Sequence, residues 1–288
     1  MPAIGVVTDS CASIPEPLLK ELNIHQVAYY IHRGQEVLRD LVTIQRDEFL
    51  AWLATARELP TTASPGPGDY LSVYESLLQD GVREVISLHM TSKGSAAYQA
   101  AKAAQSIAHE SFPSLNIEVI DTLNVSLCQG WMVIEAARSA LAGKTLSEIC
   151  AQIKKMIPIT HMLQTADTLK YLYMGGRIGK AQRLMGTLLN IKPLIGMQDG
   201  EIVPLGMTYS TRHIYQMMVE MMERVVGKKG LIKIAFVHAG ASEEIKNLKE
   251  LVESRFTCVE SLVAELSPAL AVHSGPGTTG LCYYPILE

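Results

Sequence analysis

The sequence predicts an α/β fold with two domains: a parallel open sheet flanked by helices in residues 1–157, and a mixed α/β (α+β) sheet in residues 158–288. In the first half, strands alternate with helices and end in turns of Asp, Ser or Thr, which is typical of parallel sheets. Pro158 interrupts this alternation, and beyond it Asp199-Gly200 joins two apolar runs as an antiparallel hairpin. The length of 288 residues also suits two domains of ordinary size.

Short β-branched runs predict the strands of the first half, and apolar residues at helical spacing predict its helices. Pro15 stands in the first turn of the first helix, and Thr43 is placed to cap the second. Gly81 ends the third helix, and Thr145 with Glu148 forms a capping box for the last. The predicted strands are residues 3–9, 24–32, 84–88 and 117–120, and the predicted helices are residues 14–22, 43–54, 69–79, 96–110, 125–141 and 146–157.

The second half contains the same kinds of signal in a different order. Glycines end the first helix after Pro158, and Asp199-Gly200 separates two strand-like runs that are expected to pair antiparallel. The predicted strands are residues 159–165, 191–198, 201–208, 231–237, 259–266 and 281–286, and the predicted helices are residues 168–174, 180–189, 211–226 and 243–256.

Composition restricts the classes of function. The net charge is −4 and there is no basic tract, so nucleic acid is not an expected partner. The N-terminus has no signal-peptide pattern, and no run of about 18 apolar residues occurs. The five cysteines are scattered and form no CxxC pair, which is typical of reduced thiols in a cytoplasm and argues against structural zinc. We therefore expect a cytoplasmic protein without a metal site.

Residues 60–68 have three hydroxyl side chains on a backbone stiffened by three prolines. The hydroxyl residues are Thr61, Thr62 and Ser64. In one interpretation the stretch is a rigid shelf of neutral hydrogen-bond donors for a small polar or anionic group. In the other it is a loop between helices whose hydroxyls cap the following helix.

Polar residues that follow the parallel strands are expected along one edge of the sheet, because ligands of such sheets bind beyond the carboxyl ends of the strands. They are Asp9-Ser10, residues 91–95 including Ser92, and Asp121-Thr122. Ser95 opens a helix, where free amides and the helix dipole favour an anion, although ordinary capping explains this serine equally well. A turn or capping role is also the alternative for Asp9 and Ser10.

Two arginines and two histidines of the second half are further candidates. Arg177 stands on a tight glycine turn and Arg212 follows the predicted hairpin, and either side chain is suited to a carboxylate or phosphate. Most arginines are simply solvated, however. His238 ends a predicted strand and His273 opens the terminal Gly-Pro-Gly loop, but a lone histidine is more often structural, and no spacing indicates metal ligands.

Several short motifs, which include the candidate residues above, follow one another along the chain. They are Thr8-Asp9-Ser10, Ile14-Pro15, Pro60-Thr61-Thr62, Ser92-x-x-Ser95-x-x-Tyr98-Gln99, Val119-Ile120-Asp121-Thr122, Gly175-Gly176-Arg177-Ile178, Lys192-Pro193, His238-Ala239 and His273-Ser274-Gly275-Pro276-Gly277. The ordered set resembles the DegV family, which includes the FakB-type fatty-acid-binding proteins. The resemblance runs from Thr8 to Gly277, nearly the whole chain, and the set is specific although each motif alone is not.

The resemblance implies a protein without independent catalysis that buries one long-chain fatty acid, such as palmitate, stearate or oleate, between two domains. It implies no other cofactor. The implied partner is a FakA-like fatty acid kinase subunit, which phosphorylates the presented carboxylate to an acyl phosphate for phospholipid synthesis. A transient contact with a membrane surface is a further expectation.

The resemblance also implies roles for individual residues. The bound carboxylate would lie at Thr62 and Ser95, with Thr61 and His273 close by. Arg177 and Arg212 would serve the kinase or phosphoryl-transfer side. The residues expected to support these groups are Asp9, Ser10, Ser92, His238, Gly275 and Gly277.

Two stretches depart from the family pattern. Residues 91–98 read Thr-Ser-Lys-Gly-Ser-Ala-Ala-Tyr where the family usually has Ser-Ser-x-Leu-Ser-Gly-Thr-Tyr, so Gly94 replaces a large side chain. Residues 63–67 read Ala-Ser-Pro-Gly-Pro where the family more often has Ser-Gln-Pro-Ser. We expect fatty-acid binding to survive both changes. The alternative function is a serine-dependent acyl hydrolase or transferase, which would pair Ser10 or Ser95 with His273.

Overall fold

The computed structural model describes residues 4–184 and 191–286. The described strands are β1 Ile4–Asp9, β2 Ile24–Val27, β3 Tyr30–Arg33, β4 Glu36–Arg39, β5 Thr61–Ala63, β6 Glu84–His89, β7 Asn116–Asp121, β8 His161–Thr165, β9 Lys192–Gln198, β10 Glu201–Thr208, β11 Leu231–His238, β12 Thr257–Glu265 and β13 Thr279–Pro285. The described α-helices are α1 Glu16–Glu21, α2 Arg46–Leu53, α3 Pro67–Gln79, α4 Ala97–Ser111, α5 Leu127–Leu141, α6 Leu146–Met156, α7 Lys170–Met174, α8 Thr211–Val226, α9 Ser242–Glu253 and α10 Pro268–Ser274. Short 3₁₀ helices occupy Ser10–Ala12, Ile157–Ile159 and Gly179–Leu184.

Four strands of the first half form a parallel sheet in the order β2-β1-β6-β7, as the sequence predicted. Every residue of the inner strand β1 is buried, which suits its continuous run of apolar and small side chains. Val7 and Val85 pack in the cluster with α3 and α4, whereas Val6 and Ile86 pack in the cluster with α5. The sheet is therefore covered on both faces, and the carboxyl ends of its strands open at one shared edge.

The prediction of one strand over residues 24–32 is wrong. β2 pairs with β1 up to Val27, and the chain then leaves the parallel sheet. The cause lies at Tyr29, whose N–H donates to Ser10 Oγ at 3.1 Å and whose carbonyl accepts from the Asp40 N–H at 2.8 Å, so that neither group extends the ladder. β3 instead forms a small antiparallel sheet in the order β4-β3-β5, of which β4 was not predicted.

Residues 60–68 are not a loop throughout. Thr61–Ala63 forms β5, in which Thr62 pairs with Ile31 of β3, because β-branched threonines suit an extended chain. The following helix α3 starts at Pro67, and the Asp69 carboxylate accepts from the Gly66 N–H at 2.8 Å. The prediction that hydroxyls of this stretch cap α3 is therefore wrong.

Other helix boundaries also differ from prediction. Thr43 does not cap α2, because its Oγ1 accepts from the Arg39 N–H at 2.7 Å. The capping box of Thr145 and Glu148 at the start of α6 is confirmed. The helix predicted over residues 180–189 is a 3₁₀ helix in its described part, and residues 185–189 lie outside the described residues. α10 was not predicted, because its seven residues are too few to show helical spacing.

Six strands of the second half form a mixed sheet in the order β10-β9-β8-β13-β11-β12. Only the β11–β12 pair of this sheet is parallel. The predicted hairpin between β9 and β10 is confirmed. Its turn residues Asp199 and Gly200 have φ values of 50° and 79°, both positive as a type I′ turn requires. This turn reaches the first half of the chain, since Thr91 Oγ1 donates to the Gly200 carbonyl at 2.8 Å.

Buried side chains join the two halves. Trp131 of α5 has no exposed surface, and its Nε1–H donates to the Cys282 carbonyl of β13 at 3.1 Å. Arg138 of α5 makes two charge-assisted hydrogen bonds of 2.7 and 2.6 Å to Glu260 of β12. The parallel sheet ends before Pro158 and the mixed sheet starts after it. The division into domains 1–157 and 158–288 stays a prediction.

Candidate ligand cavity

A cavity of about 630 Å³ lies between the carboxyl edge of the parallel sheet and the second half of the chain. This volume is within the usual range of small-molecule sites. Its apolar wall draws on both halves and includes Met90, Val125, Met162, Met197, Ile202 and Leu270. Unbranched methionine side chains adapt to ligands of irregular shape, so this wall suits a flexible apolar chain.

Thr62 and His273 form one polar pair in the cavity wall. Thr62 is the central residue of β5, and His273 lies in the last turn of α10, on the other half of the chain. The distance from Thr62 Oγ1 to His273 Nε2 is 2.7 Å, a hydrogen bond. His273 lies in this short helix and not in the predicted loop, so its side chain has a fixed direction.

The imidazole of His273 is neutral at ordinary pH. Burial, and to a lesser degree the nearby Arg177 guanidinium, lowers the pKa of His273 from 6.5 to about 4. Its Nδ1 is buried without a hydrogen-bond partner among the described residues and lies against Gly175. Since a buried acceptor without a partner costs less than a buried N–H without one, we assign the proton to Nε2. Nε2 then donates to Thr62, and the Thr62 O–H is free to donate into the cavity.

Ser95 and Tyr29 form a second polar pair in the wall. The distance between Ser95 Oγ and the Tyr29 hydroxyl is 2.5 Å, and both residues line the cavity. Ser95 Oγ also accepts from the Ala97 N–H at 3.2 Å. The N-cap residue of α4 is nevertheless Ala96, without a side-chain capping bond, so Ser95 is not the N-cap of this helix. Gly94 and Ala96, on either side of Ser95, line the cavity too, and their small size leaves room there.

The small antiparallel sheet brings the two pairs together. Thr62 lies opposite Ile31, which is two residues after Tyr29, and residues two apart in an extended chain point to the same face. Thr61 therefore points to the other face, where it is exposed and does not line the cavity. Tyr29 was not among the predicted site residues, because it lies in an apolar run that predicts a strand and no local motif marks it.

The two candidate arginines lie in different places. Arg177 is exposed at the cavity wall, and one of its guanidinium nitrogens donates to the Gly175 carbonyl at 2.6 Å. Arg212 is exposed in the first turn of α8 and is not part of the cavity wall. The structure thus brings only Arg177 close to the polar pairs.

Asp9, Ser10 and Ser92 lie behind the wall and support it. The buried Asp9 carboxylate accepts hydrogen bonds from the backbone N–H groups of Cys11 and Met90, two residues that line the cavity. Ser10 is buried, and its Oγ accepts from the Tyr29 N–H. The Ser92 N–H donates to the Asp121 carboxylate, which fixes the loop before Ser95.

His238, Gly275 and Gly277 are also outside the wall. His238 lies near Glu265, with 3.5 Å between Nδ1 and the carboxylate, and burial lowers its pKa. Gly275 and Gly277 follow α10 with φ values of 79° and 78°. A Cβ on Gly275 would lie 2.3 Å from the Tyr171 ring, so this glycine allows α10 to pack closely against α7.

Ser87, His89 and Asp9 have the hydrogen-bond order of a serine-hydrolase triad. His89 Nε2 lies 2.7 Å from Ser87 Oγ, and its Nδ1 lies 3.1 Å from Asp9 Oδ2. All three side chains have no exposed surface, and none of them lines the cavity. Ser87 also accepts from the Tyr74 hydroxyl at 2.9 Å. This chain of bonds therefore holds the sheet edge in place and offers a substrate no access.

Residues 4–184 and 191–286 contain neither a candidate metal site nor a candidate membrane span. No group of three or more His, Cys, Asp or Glu side chains there is arranged to hold a metal ion. No helix in the same ranges has both the length and the apolar character that a membrane span requires.

The chain is similar to known proteins over nearly its whole length. Residues 3–286 match a family model described as "Uncharacterised protein, DegV family". A DegV domain-containing protein of Halalkalibacterium halodurans is 30% identical over 286 residues, with 99% of each chain covered.

Solved structures are similar over the same length. One is described as showing fatty acid binding of a DegV family protein from Thermus thermophilus. It has a TM-score of 0.91 and 30% identity, with 98% of this chain and 99% of that chain covered. Another, described as a stearic acid-binding protein from Eubacterium ventriosum, has a TM-score of 0.89 and 25% identity, with 98% of each chain covered.

Proposed function

Because this chain belongs to the DegV family, we propose that it binds one long-chain fatty acid, with the carboxylate at Thr62 and Ser95. The observation that supports this most directly is the pair of hydroxyls, each hydrogen-bonded to a neighbouring side chain, in a cavity with an apolar, methionine-rich wall. The solved relatives described as binding fatty acid, one of them stearic acid, support the same ligand class.

The physical chemistry of the ligand fits these surroundings. A carboxylate removed from water must be hydrogen-bonded or paired with a charge, and the hydroxyls of Thr62 and Ser95 are donors for it. The acyl chain needs only apolar contact, at about 0.8 kcal/mol per buried CH₂. A chain of roughly 16–18 carbons therefore contributes on the order of 10 kcal/mol before the costs of binding.

The proposal extends to the use of the bound acid. A FakA-like kinase subunit in the cytoplasm docks at the cavity mouth, where Arg177 is exposed, with Arg212 as a second docking residue. A carboxylate oxygen attacks the terminal phosphorus of the kinase's nucleoside triphosphate, and the nucleoside diphosphate leaves as the acyl phosphate forms. Neutral donors at Thr62 and Ser95 favour this step more than a tight ion pair, because they leave the oxygen its nucleophilicity. The acyl phosphate then enters phospholipid synthesis at the membrane surface.

The hydrolase alternative needs a histidine against a reactive serine. In the structure His273 contacts Thr62, whereas Ser95 contacts Tyr29 and Ser10 contacts the Tyr29 backbone. The geometry therefore favours a carrier without catalysis of its own.

Mass spectrometry tests the ligand. Protein purified from a bacterial host is expected to weigh more under native than under denaturing conditions, and the difference should equal the mass of a long-chain fatty acid. A Thr62→Ala/Ser95→Ala double variant is expected to lose most of this ligand. The control is Thr55→Ala/Ser106→Ala, which removes two exposed hydroxyls outside the cavity wall. An empty wild-type protein that also fails to bind added palmitate or oleate would refute the proposal.

The kinase step has a separate test. With a FakA-like kinase subunit and a nucleoside triphosphate, the loaded protein is expected to support acyl-phosphate formation. Arg177→Ala is expected to keep its fatty acid and lose turnover. If Arg177→Ala and wild-type protein turn over equally, Arg177 has no role on the kinase side.

A further inference from the structure

Tyr29 is a buried residue of the cavity wall whose hydroxyl contacts Ser95. Its side chain is 4% exposed, and the oxygen–oxygen distance to Ser95 Oγ is 2.5 Å. Burial raises the pKa of Tyr29 well above 10, so the phenol keeps its proton at ordinary pH. The hydroxyl therefore has one proton to give, and it is hydrogen-bonded to Ser95.

The hydrogen-bonding capacity of Ser95 decides the direction of that bond. A serine hydroxyl has one proton and two acceptor sites. One acceptor site of Ser95 is already occupied by the Ala97 N–H at 3.2 Å. If Tyr29 donates, both acceptor sites are filled, and the single proton of Ser95 is left for a group in the cavity.

The opposite direction is less favourable. If Ser95 donated to Tyr29, it would have no proton left for a carboxylate, which only accepts hydrogen bonds. The phenol proton would then need another acceptor, and the other side chain with which Tyr29 interacts in this way is the thiol of Cys11, a weak acceptor. Burial also raises the pKa of the Cys11 thiol, so no thiolate is present to attract that proton.

We propose that Tyr29 is a positioning residue: by donating to Ser95 it directs the Ser95 proton into the cavity and makes the site selective for a group that only accepts hydrogen bonds. This inference rests on the proposed function, and it specifies the ligand headgroup. An ionised carboxylate matches the two inward donors, Ser95 and Thr62. A primary alcohol with the same hydrocarbon chain has a hydroxyl proton of its own. It therefore accepts hydrogen bonds from Ser95 and Thr62 less well than a carboxylate does.

The test compares dodecanoate with dodecanol, measured by displacement of a fluorescent fatty acid. Tyr29→Phe keeps the ring and removes only the hydroxyl. It is expected to weaken dodecanoate binding about tenfold, the scale of one hydrogen bond to a charged group, and to leave dodecanol binding unchanged. Equal losses of affinity for both ligands would show that Tyr29 only packs against the hydrocarbon chain of the ligand, and would overturn the proposal.

A double-mutant cycle tests whether Tyr29 acts through Ser95. In a Ser95→Ala background, Tyr29→Phe is expected to cause no further loss of dodecanoate affinity. A full additional loss of affinity would mean that Tyr29 contacts the ligand directly, which also contradicts the proposal.

Two controls accompany the cycle. Thermal unfolding of each variant identifies losses due to misfolding. Ser95→Thr, which retains a hydroxyl for Tyr29, is expected to keep the Tyr29 effect. If wild-type protein binds no fatty acid, the proposed function itself is refuted. If it binds fatty acid but Tyr29→Phe has no selective effect, only the role of Tyr29 is refuted.

Discussion

His273 Nε2 lies 2.7 Å from Thr62 Oγ1, and this hydrogen bond joins helix α10 of the second half to the small antiparallel sheet of the first. Both residues line the cavity, so the bond connects the packing of the two halves with the direction of a ligand-facing hydroxyl. Gly175 supports the other side of the same imidazole. A disturbance of His273 is therefore expected to affect stability and ligand binding together.

Gly175→Ala is the most direct way to disturb His273. A Cβ at Gly175 would lie 2.2 Å from His273 Nδ1, although the backbone φ of −75° suits alanine. We expect the imidazole to be displaced from Thr62, with a loss of about 1–3 kcal/mol in the free energy of unfolding and weaker fatty-acid binding. Chemical denaturation and ligand titration measure the two effects. The matched control is Gly68→Ala, where nothing lies within 4 Å of the added Cβ. Equal behaviour of the two variants would rule out the steric account.

Asp40 gives the protein a stability contribution that decreases as pH rises. Asp40 has no exposed surface, its Oδ1 accepts from the Ala269 N–H at 3.1 Å, and its Oδ2 lacks a partner among the described residues. Burial raises the pKa of Asp40 from 3.8 to about 6, and hydrogen bonds and the Arg46 charge only partly oppose this. The raised pKa favours the protonated form in the folded state, so this contribution is complete below about pH 4 and lost as pH passes 6.

Asp40→Asn is expected to remove this dependence. Relative to wild type, its free energy of unfolding should rise by on the order of 3 kcal/mol between pH 4 and pH 6. Urea denaturation at several pH values measures the difference. A constant offset between the two proteins would show that Asp40 does not titrate in this range.

His273 produces the opposite slope over nearly the same range. Its pKa falls from 6.5 to about 4 on folding, so the unfolded chain binds the proton more tightly than the folded protein does. The resulting stability is present above pH 6.5 and is lost as pH falls towards 4. His273→Gln is expected to lose stability relative to wild type mainly at neutral pH, with the difference shrinking by on the order of 3 kcal/mol towards pH 4. A difference that grows as the solution is acidified would contradict the assignment of a neutral imidazole.

We propose that the two predicted domains unfold as one cooperative unit, because buried contacts cross between them. Trp131 of the first half is fully buried, bonds to the Cys282 carbonyl and meets the Tyr284 ring edge-on at 5.9 Å. Trp131→Phe is expected to cost about 2–4 kcal/mol of unfolding free energy, somewhat less than truncation to alanine. Circular dichroism and tryptophan fluorescence should report coincident wild-type transitions. Two separate transitions would mean that the halves unfold independently.

Local sequence signals predicted the parallel sheet, the hairpin and most helices, because each of these elements has its own pattern. β1 begins with an apolar, β-branched run, Asp199-Gly200 is a two-residue turn, and Thr145 with Glu148 caps α6. The break after Val27 was not predictable, because it depends on hydrogen bonds from the Tyr29 backbone to residues distant in sequence. Such tertiary contacts override an apolar strand pattern.

In the candidate site too, local motifs predicted some residues, whereas others depend on tertiary contacts. Motifs singled out Thr62, Ser95 and His273, and the structure brings all three to one cavity, where their roles stay predictions. The selection of Tyr29 required the pairing of β5 with β3 and the position of Ser95, neither of which a local motif encodes. Arg212 and Thr61 had equally good sequence arguments, but they lie outside the cavity wall.

A crystal structure of the complex with stearate would locate both ends of the ligand. We expect an acyl chain along the methionine-rich wall, with carboxylate oxygens about 2.5–3.2 Å from Thr62 Oγ1 and Ser95 Oγ. A carboxylate bound at Arg177 with the hydroxyls unoccupied, or a chain outside the cavity, would contradict this expectation.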